Sequence, residues 1–182
     1  MADDRTPTGA GLVTWANALT LARLASAPAL AWALVEERAF VALALFAAAC
    51  ASDFADGGLA RRLGQVSSLG GLLDHATDAT LMVVGLAALS VRGLVPALLP
   101  VLVAAAFVQY VVDSRAAAGR PLRPNPIGRW NGIAYYVLLG TPIVRDAAGV
   151  LWPWDTLVAF AGWVLVASTA LSMVQRFRRR PA

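Results

Sequence analysis

Six apolar stretches, each close to twenty residues long and each closed by charged or proline-rich breaks, constrain this chain more than anything else in it. They run at about 17–35, 39–61, 68–90, 94–115, 128–145 and 156–176. A helix rises 1.5 Å per residue, so about 20 apolar residues match a hydrocarbon layer of roughly 30 Å. The expected fold class is therefore an all-α integral membrane protein with six transmembrane helices. Composition agrees, since 59% of the 182 residues are hydrophobic, against roughly 45–50% in soluble domains. The connections are short except for 115–129, and no internal repeat is visible, so residues 1–182 are expected to form a single membrane domain. Gly11 to Trp15 is amphipathic, and Trp15 suits an interface, which predicts a short N-terminal amphipathic surface helix leading into the first span.

All 15 basic residues are arginines, and their distribution tests the six-helix reading. Placing successive loops on alternate sides gives one side Arg5, Arg23, Arg61, Arg62, Arg115, Arg120, Arg123, Arg129, Arg176, Arg178, Arg179 and Arg180, and leaves the other only Arg38, Arg92 and Arg145. That bias puts both termini in the cytoplasm, as in a bacterial inner membrane. The net charge of +4 is thus an orientation signal. Nucleic acid is not an expected partner, because the arginines are divided among separate short loops, while the terminal R-F-R-R-R suits anionic headgroups of membrane lipid. A cleavable signal peptide is not expected either, since Asp3 and Asp4 spoil a basic start and Glu36-Glu37-Arg38 follows the first apolar stretch. The single cysteine, Cys50, excludes an intrachain disulfide.

Against this background four carboxylates stand out: Asp53, Asp56, Asp74 and Asp78, within a stretch of Ala, Leu, Gly and Phe. A carboxylate in apolar surroundings costs several kcal/mol unless a cation or donor compensates it. Asp53 and Asp56 are spaced i,i+3, and Asp74 and Asp78 i,i+4, so each pair projects from one helical face. By helical rise, Asp56 lies roughly 8 Å before Arg61 and Asp74 roughly 9 Å beyond Ser68, so the pairs reach similar depths from the same membrane face. Two such faces together make a four-carboxylate cage, whose hard oxygens suit Mg²⁺, Mn²⁺ or Ca²⁺, with enough charge for two ions that bridge phosphate oxygens. Gly57, Gly58, Gly70 and Gly71 flank the acids and permit close approach of a ligand or backbone.

Other polar residues have two readings each. Asn17, Thr20 and Arg23 share a face of the first helix and either satisfy interhelical hydrogen bonds or stand beside the acids. His75 either binds phosphate or orients a neighbouring carboxylate. Asp113 and Arg115 either frame a polar pocket or are helix-end charges. Arg120, Arg123 and Arg129, with Asn131, could collect phosphate, although orientation alone accounts for Arg120 and Arg123. Tyr135 and Tyr136 either line a cavity or anchor an interface, and the last helix otherwise reads as packing.

The pattern D-x-x-D-G-x-x-A-R, eight residues, G-x-x-x-D-x-x-x-D occupies Asp53, Asp56, Gly57, Ala60, Arg61, Gly70, Asp74 and Asp78 without a gap, and N-A-L-T-L-A-R lies upstream. In these positions the chain resembles the CDP-alcohol phosphotransferases, also called CDP-alcohol phosphatidyltransferases. The resemblance implies an enzyme of the EC 2.7.8 type in phospholipid biosynthesis. In that reaction two Mg²⁺ or Mn²⁺ ions grip the pyrophosphate of a CDP-linked donor such as CDP-diacylglycerol. An acceptor hydroxyl, on a small alcohol or a lipid, attacks the β-phosphorus and CMP leaves. It further implies that Asp53, Asp56, Asp74 and Asp78 hold metal, with Asp78 also the general base. Gly57, Ala60, Arg61 and Gly70 would border the CDP-donor, the active site would be cytoplasmic, and the protein would be a homodimer.

The element Leu73-Asp74-His75 resembles the choline and ethanolamine phosphotransferases, which gives a donor-swapped alternative in which CDP-choline or CDP-ethanolamine reacts with diacylglycerol. An alternative of another class is a divalent-cation transporter, since intramembrane acids also mark ion pathways. Against it, no second acidic station crosses the membrane span.

Overall fold

Each apolar stretch forms one helix. In the computed structural model the described backbone covers residues 15–63, 68–114 and 126–178, and the described side chains cover 23–52, 71–113 and 126–178. The helices are α1 (Trp15–Val35), α2 (Ala39–Leu63), α3 (Ser68–Val91), α4 (Leu98–Ser114), α5 (Pro126–Ala148) and α6 (Asp155–Arg178), with no strand among the described residues. Residues 11–14 of the expected surface helix lie outside the described residues.

Helix number and boundaries follow the sequence closely, but the expectation of six membrane-spanning helices is met only in part. Among the described residues two helical segments, Gly71–Val91 and Asp155–Arg178, are long and apolar enough to cross a membrane, while Arg23–Val35, Ala39–Ser52 and Leu98–Asp113 are shorter apolar helices. For α4 and α5 the reason is local: α4 has 17 residues, and α5 carries Arg129, Asn131, Arg145 and Asp146. In α1 and α2 the shorter segments are the parts whose side chains are described, and the helices themselves run 21 and 25 residues.

Three helices end in the same way at the end of the bundle away from the acids. Arg38 N–H bonds Ala33 O at 2.8 Å, Leu94 N–H bonds Leu89 O at 2.9 Å and Val150 N–H bonds Arg145 O at 3.2 Å. Each closes a Schellman turn through a residue of positive φ: Glu37 at 53°, Gly93 at 76° and Gly149 at 65°. Ion pairs join these turns: Arg92 reaches Asp146 at 2.9 Å and Glu37 at 3.7 Å, and Arg145 reaches Asp146 at 2.8 Å and also pairs with Asp155. Two of the three arginines on the arginine-poor side are therefore engaged by acids.

α1 packs against both α2 and α3; α3, α4, α6 and α5 then close a ring, with α2 also against α5. Leu30 and Leu34 of α1, Leu81, Leu86 and Leu89 of α3, Leu99 of α4, and Leu139 and Ile143 of α5 are the buried centre. Small residues set the spacing. A Cβ on Gly140 would lie 2.9 Å from the Phe46 ring, and one on Gly162 only 2.6 Å from Pro96 Cδ. The outside is apolar as well: Trp32, Phe40, Leu73, Val101, Val137 and Phe160, one from each helix, are exposed. Soluble bundles rarely show such contiguous apolar surface, whereas a lipid-facing surface requires it.

Candidate active site

The acids on α3 find their compensation on α1. Arg23, with a side chain wholly removed from solvent, donates from Nη1 to Asp78 Oδ1 at 2.9 Å and to Asp74 Oδ1 at 3.1 Å. Its Nε reaches Ser52 Oγ at 3.4 Å, and Ser52 immediately precedes Asp53. Ser52 in turn donates to Ala49 O at 2.9 Å, which holds its oxygen toward the arginine. One guanidinium thus spans the acid-bearing half of α2 and the acidic face of α3, a job for which its fixed fork of donors is suited. Both sequence readings for Arg23 meet here, since its interhelical hydrogen bonds are made to the acids themselves.

Asp74 and Asp78 lie one turn apart, with side chains 38% and 25% exposed. Two hard carboxylates on one face, each engaging Arg23 through one oxygen, fit the donor chemistry of a divalent ion. The side chains of Asp53 and Asp56, and those of Ala60 and Arg61, lie outside the described residues, as do Gly57 and Gly70; their backbones belong to α2 and α3. Among the described residues no group of three or more potential ligands is assembled.

A cavity of about 640 Å³ opens beside Asp78, walled by α3, α4, α5 and α6. Asp78 lines it and Asp74 does not, so the two acids of one face have different neighbours. His75 lines the rim. Its Nδ1 lies 2.9 Å from Gly71 O, and only an N–H can serve a carbonyl, so in the neutral ring Nε2 is left as an acceptor. The His75 and Tyr110 rings lie 6.2 Å apart, and the Arg176 guanidinium sits 4.9 Å above the Tyr110 ring.

Deeper in the wall α5 and α6 are locked by a chain of hydrogen bonds. Ser168 Oγ donates to Asn131 Oδ1 at 2.7 Å. The Thr169 hydroxyl donates to Leu165 O at 2.6 Å, so Tyr135 must be the donor in its bond to Thr169. Gln109 Nε2 donates to Met173 O at 3.0 Å, tying α4 to α6, while its Oε1 is buried with no hydrogen-bond partner among the described residues.

Of the pocket residues expected from sequence, Arg129 and Asn131 line the cavity. Asp113, one helical turn beyond Gln109, is not among the residues that line it. Arg115, Arg120 and Arg123 lie outside the described residues. Sequence reasoning missed α6, where Thr169, Ser172 and Arg176 face the cavity. Their i, i+3, i+7 spacing on an otherwise apolar helix was the available signal.

Two acids on α3 are thus held by a buried arginine from α1 beside a cavity, in a helical protein with an apolar outer surface. The chain belongs to the CDP-alcohol phosphatidyltransferases, whose family pattern matches residues 13–174, which makes it a membrane-associated transferase of substituted phosphate groups, of the EC 2.7.8 type. It is similar to a cardiolipin synthase (CMP-forming) of Streptomyces coelicolor, with 30% identity over 165 residues, covering 84% of this chain and 76% of that protein.

Proposed function

We propose that this protein transfers a phosphatidyl group from a CDP-linked donor, such as CDP-diacylglycerol, to an acceptor hydroxyl, releasing CMP, as a metal-dependent step of phospholipid biosynthesis. The observation that carries the reading is the position of Asp78, which is held by Arg23 on one side and exposed to the cavity on the other. A similar protein that makes cardiolipin and forms CMP supports the same donor chemistry.

The roles follow from that position. An acceptor hydroxyl in the cavity has Asp78 as its nearest acidic neighbour, so the carboxylate takes the hydroxyl proton as the oxygen bonds to the β-phosphorus and the bond from that phosphorus to CMP breaks. Arg23 fixes the Asp78 carboxylate, so the base need not reorient during the reaction. Asp74, off the cavity wall, is left to serve the donor side together with Asp53 and Asp56. Two Mg²⁺ or Mn²⁺ ions held by Asp53, Asp56, Asp74 and Asp78 would neutralise the donor's pyrophosphate and the charge that develops on it. Four aspartates and one arginine leave a net negative charge, which suits such ions and would repel the pyrophosphate in their absence. Gly57, Ala60, Arg61 and Gly70 would border the donor.

The wider arrangement is six helices crossing the membrane as one domain, both termini and the site at the cytoplasmic face, and two copies forming a homodimer. The apolar outer surface and the arginine bias support this topology. Reconstituted protein with Mg²⁺ or Mn²⁺ should release CMP from CDP-diacylglycerol in the presence of an acceptor alcohol. Absence of CMP release across a donor and acceptor panel, in protein shown to be folded, refutes the reading.

A further inference from the structure

We infer that the α5–α6 loop, residues 149–154, docks into the headgroup–acyl boundary of the leaflet away from the acids and holds the α5–α6 hairpin at a fixed depth; this rests on the membrane-crossing arrangement proposed above and not on the transfer reaction. The loop turns apolar side chains outward. Val150, Leu151, Trp152 and Trp154 are 51%, 86%, 66% and 65% exposed, and no residue from Gly149 to Trp154 is charged. The other two turns at this end are built differently. The α1–α2 turn exposes Glu36, Glu37 and Arg38, whereas the α3–α4 turn buries its Leu94 and Val95. One turn of the three therefore presents a continuous apolar tip, the kind of surface that marks a contact with a membrane or a partner.

The chemistry of the tip selects the membrane. Indole is an apolar body with a single N–H donor, and it concentrates at the bilayer interface, where one edge is wet and the other is not. The backbone beneath the tip is already hydrogen-bonded, as entry into a lipid environment requires. Gly149 N–H bonds Asp146 O at 3.3 Å, Val150 N–H bonds Arg145 O at 3.2 Å, and Trp154 O accepts from Leu157 N–H at 2.9 Å. Pro153 has no N–H, and its carbonyl accepts from Arg145 Nη1 at 3.0 Å. Arg145, the one cation directly under the tip, is met by Asp146 and Asp155 and so brings no uncompensated charge there.

Helix length puts the tip at the right depth. α6 is apolar and long enough to cross a membrane. Its charged ends, Asp155 and Arg176, lie about 32 Å apart by helical rise, against a hydrocarbon layer of roughly 30 Å. With Arg176 and Arg178 at one headgroup region, residues 150–154 fall in the other. Hydrogen bonds from Ser168 to Asn131 and between Tyr135 and Thr169 tie α6 to α5. The depth of the tip is consequently also the depth of the cavity wall that carries Arg129 and Arg176.

The test uses the full chain in vesicles, with Cys50→Ala as the background and an environment-sensitive fluorophore attached at Leu151→Cys, or at Glu36→Cys for comparison on the same end. A lipid spin-labelled high on its acyl chain should quench the Leu151→Cys fluorophore, and aqueous iodide should quench it several-fold less than the Glu36→Cys fluorophore. Adding Trp152→Ser and Trp154→Ser should open Leu151→Cys several-fold to iodide while Tm in detergent changes little. Equal access of iodide to the two labels overturns the inference. A Leu151→Cys fluorophore shielded from iodide yet untouched by the spin-labelled lipid also overturns it, since a protein, a second copy of this chain included, then covers the loop. If the two serine substitutions leave the shielding unchanged, the indoles are not the anchor and the inference fails. Modification of Glu36→Cys and Arg178→Cys by an impermeant maleimide from the same side of sealed vesicles refutes the membrane-crossing arrangement, and the inference with it.

Discussion

Arg23 gives the sharpest prediction, because one wholly buried side chain neutralises two partly exposed carboxylates. Arg23→Gln removes contacts of 2.9 and 3.1 Å to Asp78 and Asp74 and takes the guanidinium charge away from both acids. Removing one partner of a buried pair costs about 3–5 kcal/mol. The acids retain 38% and 25% exposure, and screening by solvent reduces that to about 2–3 kcal/mol. For a chain of this size the loss corresponds to a fall in Tm of about 5–10 °C. Turnover should fall about a hundredfold, the usual consequence of a catalytic group released from its geometry.

The informative part is the metal dependence. A divalent cation can replace the missing charge, so Mn²⁺ should stabilise Arg23→Gln more than it stabilises the parent, by an amount that grows with the logarithm of concentration above Kd. Arg23→Lys keeps the charge but cannot fork between the acids and Ser52; it should recover most of the stability and little of the rate. Thermal denaturation with and without Mn²⁺, followed by CMP release, checks all three variants. Equal Tm for Arg23→Gln and the parent, or a smaller Mn²⁺ shift in the variant, would refute the charge argument.

Asp78→Asn should keep the KM for the CDP-linked donor within about threefold while kcat drops by about 10²–10⁴, the range of a lost general base; steady-state CMP release decides, and near-normal turnover removes the assignment. Gly162→Ala pushes a Cβ against the rigid Pro96 ring, whereas Gly85→Ala meets the flexible end of Leu139. The first should therefore cost about 1–3 kcal/mol and the second less, and the reverse order in thermal unfolding would contradict the packing. Tyr135→Phe strips the hydroxyl that bonds Thr169. It should lower stability by about 1–2 kcal/mol with little change in kcat; unchanged Tm with collapsed turnover would instead place the phenol on the substrate. Glu37→Gly relieves a positive φ of 53° and loses only a 3.7 Å ion pair to Arg92, in which the Glu37 side chain is itself 73% exposed. A gain of about 0.5 kcal/mol is expected, read as a Tm rise of about 1–2 °C.

The sequence by itself determined the helices and the chemistry of the acidic stretch. Apolar runs of fixed length, closed by charges and prolines, are local information, which is why α1 to α6 fall where the runs predict. The i,i+3 and i,i+4 spacing of the aspartates is local too, so the shared face of Asp74 and Asp78 was legible before any coordinates.

Only the tertiary structure decided what each face meets. Arg23 lies 51 and 55 residues from the acids it holds, and its polar face on α1 was equally consistent with hydrogen bonds elsewhere. Packing of α1 against both α2 and α3 resolved that. Asp78 and Asp74 are indistinguishable by spacing, yet one lines the cavity and the other does not, because the cavity is made by α4, α5 and α6 closing on α3. The same closure brought Arg176 and Thr169 to the wall. Periodicity gives the face of a helix that carries polar groups; which neighbour covers that face, and at what depth, depends on contacts among residues far apart in the chain.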